Sequence, residues 1–166
     1  SKEMKSWWIL SRGAAKLVVE GPISGANIFL PEVMRVFENF GAVTQELRTN
    51  AFSARLPARK LLGWEYGRKH TIPCTVELVP QNKSPAEKIV ATCDVSLVRG
   101  RRRPFGYIWS SVTLFVGILI AISGGGVSFD GFAKFLVAFF GPWVILQLNL
   151  FVDYWRIRAK VSKLIR

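Results

Sequence analysis

Few residues in this sequence have side chains that could perform acid–base, nucleophilic or metal chemistry. The chain has one histidine, His70, two cysteines, and two isolated glutamates of note, Glu65 and Glu77. A catalytic or metal site needs several such groups at matched spacing, and none of these residues has a partner placed that way. The sequence therefore predicts no catalytic, cofactor-binding or metal residues, and it favours a binding protein over an enzyme.

The two cysteines fall in segments that alternate apolar and polar residues. Cys74 lies in 71–79 and Cys93 in 88–98, and such alternation predicts two strands joined as a hairpin. A symmetric hairpin brings both cysteines onto the buried face near each other. We expect them to be small buried thiols rather than a disulfide framework.

A mixture of arginines and aromatic residues between positions 48 and 66 could bind a partner. Arginine, tryptophan and tyrosine are the residue types favoured at interaction hot spots. The same mixture can bind single-stranded nucleic acid, and it is also compatible with an ordinary solvated face whose aromatics lie in the core. Among the functional interpretations, partner binding or self-association ranks first, anionic lipid second and nucleic acid a distant third. The candidate partner-binding residues are Arg48, Phe52, Arg55, Trp64 and Tyr66.

Basic residues cluster on both sides of a long apolar region, in a chain whose net charge is +12. Such a cluster either sets membrane topology or binds anionic phospholipid headgroups, with about 1 kcal/mol per basic residue near the surface. We call this cluster the basic collar. It comprises Arg99, Arg101, Arg102, Arg103, Arg156, Arg158, Lys160 and Lys163.

The region between the two parts of the collar consists of two apolar runs, and these runs determine where the basic residues lie. Residues 104–123 carry no charge, and residues 131–151 carry Lys134 alone, near their start. Twenty helical residues span about 30 Å, the thickness of a bilayer's hydrocarbon core. The glycine-rich link 124–130 is too short for anything but an antiparallel pair, so we predict a transmembrane helical hairpin.

Polar residues inside these runs predict contacts between helices. Ser110 and Thr113 lie at a depth matching Gln147 and Asn149. Because amides in hydrocarbon seek partners on another helix, we expect these four residues to pack the spans together or against another subunit. A permeation path past Gln147 and Asn149 is the alternative.

The distribution of basic residues predicts orientation. The collar lies on one side of the two runs, whereas the link side has only Lys134. The positive-inside rule then puts both termini in the cytoplasm, in a bacterial inner membrane by expectation. This orientation agrees with reduced cysteines.

The remaining residues predict a small α+β domain. Leu30, Val33, Met34, Phe37 and Phe40 form the apolar stripe of a helix, and 43–56 reads as a polar strand. The fold class is α+β: a small N-terminal antiparallel sheet with one main helix, a two-helix transmembrane hairpin and a basic C-terminal amphipathic helix. The divisions are 1–103 (cytoplasmic domain), 104–123 and 131–151 (spans), 124–130 (turn) and 152–166 (tail).

These features predict an integral membrane scaffold or assembly subunit, in a homo- or hetero-oligomer. Two other functions stay open at this point. One is a pore, transporter or effector subunit with several hairpins lining a path. The other is a membrane-bound enzyme acting on a lipid or nucleotide.

Overall fold

The chain folds as an α+β protein with one sheet and two long helices. The structure is a computed structural model that describes residues 7–21, 30–80, 87–124 and 128–165. The predicted turn 124–130 therefore lies partly outside the described residues. The elements are β1 (Lys16–Glu20), α1 (Leu30–Phe40), β2 (Val43–Arg48), β3 (Ala51–Pro57), α2 (Ala58–Leu62), β4 (Thr71–Pro80), β5 (Glu87–Asp94), α3 (Ser96–Ile122) and α4 (Phe129–Leu164).

The sheet has five antiparallel strands in the order β1-β5-β4-β3-β2. β4 and β5 pair in the predicted register, with Cys74 directly opposite Cys93. Register is well specified here because a slip by one residue would move every apolar side chain of a strand to the other face. The predicted antiparallel α+β class is thus confirmed.

The prediction of a single strand over 43–56 is wrong. The structure has two strands, β2 and β3, separated by Thr49 and Asn50. Asparagine favours tight turns because its side chain hydrogen-bonds to nearby backbone. β2 is an edge strand with no buried residue, so its sequence lacks the alternation that would have shown where it ends.

One face of the sheet carries the core, and α1 packs there with the stripe predicted from the sequence. Leu30 and Phe37 are buried, and the Phe37 ring meets the Phe52 ring edge-on at 5.5 Å. α2 and the C-terminal part of α4 complete the layer of helices over this face.

α3 and α4 are longer than the predicted spans. α3 has 27 residues and begins at Ser96, so the first four arginines of the collar, from Arg99 to Arg103, lie inside this helix. α4 has 36 residues and passes through Pro142 without ending. Residues 152–164 are helical as expected, but they continue α4 instead of forming a separate helix.

The apolar side of this tail belongs to the domain core. Tyr154, Ile157 and Val161, together with Leu150 just before the tail, are buried with residues of the sheet. A stripe that could have rested on lipid is therefore covered by protein.

The two cysteines are joined in the structure as a disulfide, whereas the sequence analysis expected thiols. Their Cα atoms are 4.2 Å apart because they are a directly opposed pair on neighbouring strands. Both side chains are buried. The expectation of proximity holds, whereas the pair that was expected as two thiols is joined in this structure.

Candidate functional site at the base of the apolar helices

Two helices, α3 and α4, are long and apolar enough to cross a membrane. In each, only 11% of the most apolar window is buried within the protein. The core helix of a soluble protein is mostly buried, so these helices present apolar surface that the chain itself does not cover.

α3 and α4 pack through small residues on α3 that receive aromatic residues of α4. A Cβ atom at Gly106 would lie 2.5 Å from the Trp143 ring, and one at Gly117 would lie 2.7 Å from the Phe135 ring. Trp143 Nε1 donates to Ser110 Oγ at 2.5 Å. The small residues of α3 recur at helical spacing, a signal that the sequence analysis did not use.

An ion pair joins the two helices where they enter the domain. Arg102 Nη2 lies 2.6 Å from Asp153 Oδ2, and Arg102 Nε donates to the same oxygen at 2.7 Å. Asp153 is buried, and Arg102 is largely covered. Removing both charges from water is costly, and the short contact and hydrogen bond between the two side chains offset that cost.

The N-terminal segment, residues 7–13, is fastened to the same place. Ile9 N–H donates to Gln147 Oε1 at 2.8 Å, and Gln147 Nε2 donates to the Trp7 carbonyl at 3.2 Å. Arg103 donates to the carbonyls of Ile9 and Ser11. We call the meeting point of this segment with the bases of α3 and α4 the junction.

Two further contacts strengthen the junction. Arg99 is buried and donates to the Gly13 carbonyl. The Trp7 ring lies 5.6 Å from the Tyr154 ring, and the Arg158 guanidinium lies over Trp7 at 5.8 Å. Trp7 was not among the predicted site residues, because its ring partners Tyr154 and Arg158 are more than a hundred positions away.

Other collar residues contact α2 and the loop that follows it. Arg101 donates to the Glu65 carbonyl at 2.5 Å and stacks over Tyr66 at 4.7 Å. Arg156 donates to the Leu62 carbonyl, and Lys160 donates to the Lys60 carbonyl. Lys163 is exposed. Much of the collar thus ties the domain to the helices, and its binding to lipid stays a prediction.

The four polar residues predicted to pack the spans have different environments. Ser110 contacts Trp143, and Gln147 binds the backbone of residues 7–9. Thr113 donates to the Trp109 carbonyl of its own helix, and Asn149 is exposed.

The five predicted partner-binding residues divide into core and surface. Phe52 and Tyr66 are buried. Arg48 and Arg55 are exposed, and Arg48 faces Glu77 at 3.7 Å. Trp64 is highly exposed, in the loop that Arg101 contacts.

Burial and the charged residues of the junction shift the pKa of the Tyr66 hydroxyl. Burial raises the pKa of Tyr66 above its ordinary value of 10.0, and the negative charge of Asp153 adds to the increase. Arg102 and Arg101 lower the pKa, but they do not cancel the effect of burial. The phenol therefore stays neutral in the folded protein at physiological pH.

Among the described residues, no group of three or more His, Cys, Asp or Glu side chains could hold a metal ion. A groove of about 670 Å³ lies between α3 and α4 near the turn, and its lining is mainly apolar. The junction can hold a backbone segment and two helices together, but its geometry offers no catalytic grouping.

Comparisons with protein families, with curated proteins and with solved structures give no match to this chain.

Proposed function

We propose that this chain is an integral membrane scaffold subunit. In this proposal α3 and α4 cross the bilayer as a helical hairpin, and the α+β domain docks on its base to present a binding surface. The observation that carries it is the apolar surface of two helices whose most apolar windows are each only 11% buried. A bilayer would cover that surface without any further protein.

The continuity of α4 supports a scaffold in particular. One helix contributes both the apolar segment and part of the domain core, through Leu150, Ile157 and Val161. Together with the Arg102–Asp153 pair, this continuity would hold the domain at a constant height and orientation above the bilayer. Constant placement is what an assembly subunit needs.

We propose that both termini face the cytoplasm, in an inner membrane of bacterial type. The support is the concentration of basic residues at the junction and their scarcity near the turn, where Lys134 pairs with Asp130 at 3.1 Å. Exposed collar residues, including Lys163, would contact anionic phospholipid headgroups.

The proposed binding surface includes the exposed residues Arg48, Arg55 and Trp64. Arg55 lies on the sheet face opposite the helices, because its neighbours Ala54 and Leu56 are buried on the helical face. The occupant in this proposal is a second copy of the chain or another membrane subunit.

The two alternatives have less support. A pore past Gln147 would need that amide free, yet the backbone of residues 7–9 occupies both of its polar atoms. An enzyme acting on lipid or nucleotide would need convergent carboxylates, yet Glu77 faces Arg48 and Glu65 is exposed.

Two measurements test the proposal. Alkaline washing of membranes should leave the chain in the pellet, and the chain purified in mild detergent should have a mass by light scattering that exceeds one copy. Release by the wash would contradict membrane integration. A strict monomer at all concentrations, with no co-purifying subunit, would remove the scaffold role.

A matched pair of variants locates the surface. Arg55→Glu should reduce the assembled mass, whereas Arg35→Glu, an exposed arginine of α1 on the other side of the domain, should leave it unchanged. Equal effects of the two variants would contradict the assignment of the surface to Arg55.

A further inference from the structure

The segment from Trp7 to Ser11 has a fastened backbone and outward-facing apolar side chains. Ile9 is buried, but Trp8 is 55% exposed and Leu10 is 57% exposed. An exposed tryptophan and leucine this close together are unusual on a surface that meets only water.

The backbone of this segment is well supplied with hydrogen bonds. Gln147 binds Ile9 N–H and the Trp7 carbonyl, Arg103 binds the Ile9 and Ser11 carbonyls, and Ser11 N–H donates to the Trp8 carbonyl at 2.9 Å. Unpaired backbone groups next to hydrocarbon cost several kcal/mol each, so non-helical chain can border lipid only when its polar groups are satisfied. These hydrogen bonds satisfy six of the ten backbone N–H and C=O groups of residues 7–11.

The height of the segment along the helices matches the edge of a bilayer's hydrocarbon core. Gln147 lies 18 residues after Phe129, the start of α4, which corresponds to about 27 Å of helix. Arg103 lies 19 residues before Ile122, the end of α3, or about 29 Å. A hydrocarbon core is about 30 Å thick, so a hairpin that crosses it brings residues 7–11 to its boundary with the headgroups.

We propose that residues 7–11 form a third membrane-contacting element, in which Trp8 and Leu10 insert into the interfacial layer of the bilayer. The proposal rests on the membrane-spanning hairpin of the proposed function. Tryptophan favours this layer because its ring is amphipathic. The Gln147 and Arg103 hydrogen bonds hold the segment at the correct height.

Lipid is the occupant that the surroundings favour. Tyr107, one helical turn from Arg103, and Val144, one turn from Gln147, lie on the same helix faces as those residues, and both are exposed. Trp8 and Leu10 therefore continue the apolar surface of α3 and α4 instead of forming a separate patch. Lipid that covers the apolar surface of α3 and α4 would therefore also cover residues 7–11.

Site-specific photocrosslinking in vesicles tests the proposal. The full chain carries a photoreactive amino acid at one position and is reconstituted in vesicles of phosphatidylcholine and phosphatidylglycerol that contain a traceable phospholipid. The positions are Leu10, the mid-helix residue Ile118, and Leu47 at the edge of the sheet. Leu47 is the matched control, since it is a leucine of similar exposure, 50%.

Leu47 also lies well away from the point where the chain enters α3. Its neighbour Arg48 pairs with Ala51, which pairs with Glu77, which pairs with Val90 of β5. Val90 lies four residues before the end of β5, and that end leads into α3. Four strand residues correspond to about 13 Å.

We expect phospholipid to be attached at Leu10 and Ile118, several-fold more than at Leu47. Attachment at Ile118 with no excess at Leu10 over Leu47 would overturn this proposal and leave the spanning hairpin intact. Failure at both Leu10 and Ile118 would overturn the hairpin itself and this inference with it.

Discussion

The guanidinium of Arg102 and the carboxylate of Asp153 form the contact that joins α3 to α4 at the junction, with Nη2 and Oδ2 2.6 Å apart. The pair lies between the domain core and the apolar helices. Because Arg102 precedes the apolar part of α3 and Asp153 follows the apolar part of α4, the pair fixes both helices relative to the domain.

Replacing Asp153 with leucine should destabilise the protein strongly. The change leaves a largely covered guanidinium without its counter-ion, at a cost of about 3 kcal/mol. The double replacement Arg102→Leu with Asp153→Leu should recover most of the loss, since neither charge remains. Thermal unfolding in detergent, followed by circular dichroism, measures both effects.

The exposed pair Lys134–Asp130 provides the control for that prediction. Both side chains are largely in solvent, so Asp130→Asn should leave the unfolding temperature unchanged. A similar loss from both single replacements would mean that Arg102 and Asp153 are not specially coupled.

Replacing Gly106 with alanine should loosen the packing of α3 against α4. The new methyl group would lie 2.5–2.8 Å from three atoms of the Trp143 ring, so the ring must move away from Ser110. We expect a loss of about 1–3 kcal/mol, the range for overpacked sites. The measurement is again thermal unfolding in detergent.

Gly141 is the matched control for Gly106. It is also a helical glycine, but a Cβ atom there meets nothing within 4 Å. Gly141→Ala should be neutral or stabilise by a few tenths of a kcal/mol up to about 1, because alanine restricts the unfolded chain. If Gly106→Ala behaved like Gly141→Ala, the close packing of Trp143 would be contradicted.

Replacing Gln147 with leucine should free the N-terminal segment from the junction. Ile9 N–H loses its acceptor and the Trp7 carbonyl loses its donor, which together cost about 1–3 kcal/mol. Hydrogen exchange measured by mass spectrometry should become faster at residues 7–11. Asn149→Leu, at an exposed amide two positions along, should leave exchange in this segment unchanged.

The parts of the fold that could be predicted are those with local periodicity. The β4–β5 hairpin alternates strictly, and its predicted register is confirmed down to the Cys74–Cys93 pair. The stripe of α1 is equally regular. The β2–β3 turn was missed because an exposed edge strand has no apolar period to interrupt.

The junction could not be predicted, because its contacts join distant parts of the chain. Arg103 and Ile9 are 94 positions apart, and Gln147 and Ile9 are 138 apart. A cluster of arginines before an apolar run has the same sequence signature whether it faces headgroups or backbone carbonyls. Only the fold distinguishes these two environments.

The raised pKa of Tyr66 predicts a dependence of stability on alkaline pH. Because the folded protein holds the phenol above its ordinary pKa of 10.0, the unfolded chain ionises first, and this contribution to stability is lost as pH rises beyond that value. Tyr66→Phe keeps the ring under Arg101 but removes the titration. Between about pH 9 and about pH 11, the unfolding temperature of the variant should therefore fall by less than that of the parent. Equal losses would contradict the buried, neutral phenol.

The redox state of Cys74 and Cys93 tests the proposed orientation. The two residues are close enough to be joined, so the compartment decides whether they are. If the sheet faces the reducing cytoplasm, cells denatured directly in an alkylating reagent should yield a chain carrying two alkyl groups. A chain purified in air should carry none until it is reduced.

A single-cysteine variant makes the alkylation result quantitative. Cys93→Ala leaves Cys74 without its partner, so this chain should take up one alkyl group from cells and after purification alike. A parent chain that resists alkylation in cells while the variant reacts would mean that the pair is oxidised in place. The domain would then lie on the oxidising side, and the orientation proposed from the basic residues would be reversed, while the proposed hairpin and the observed junction would be unaffected.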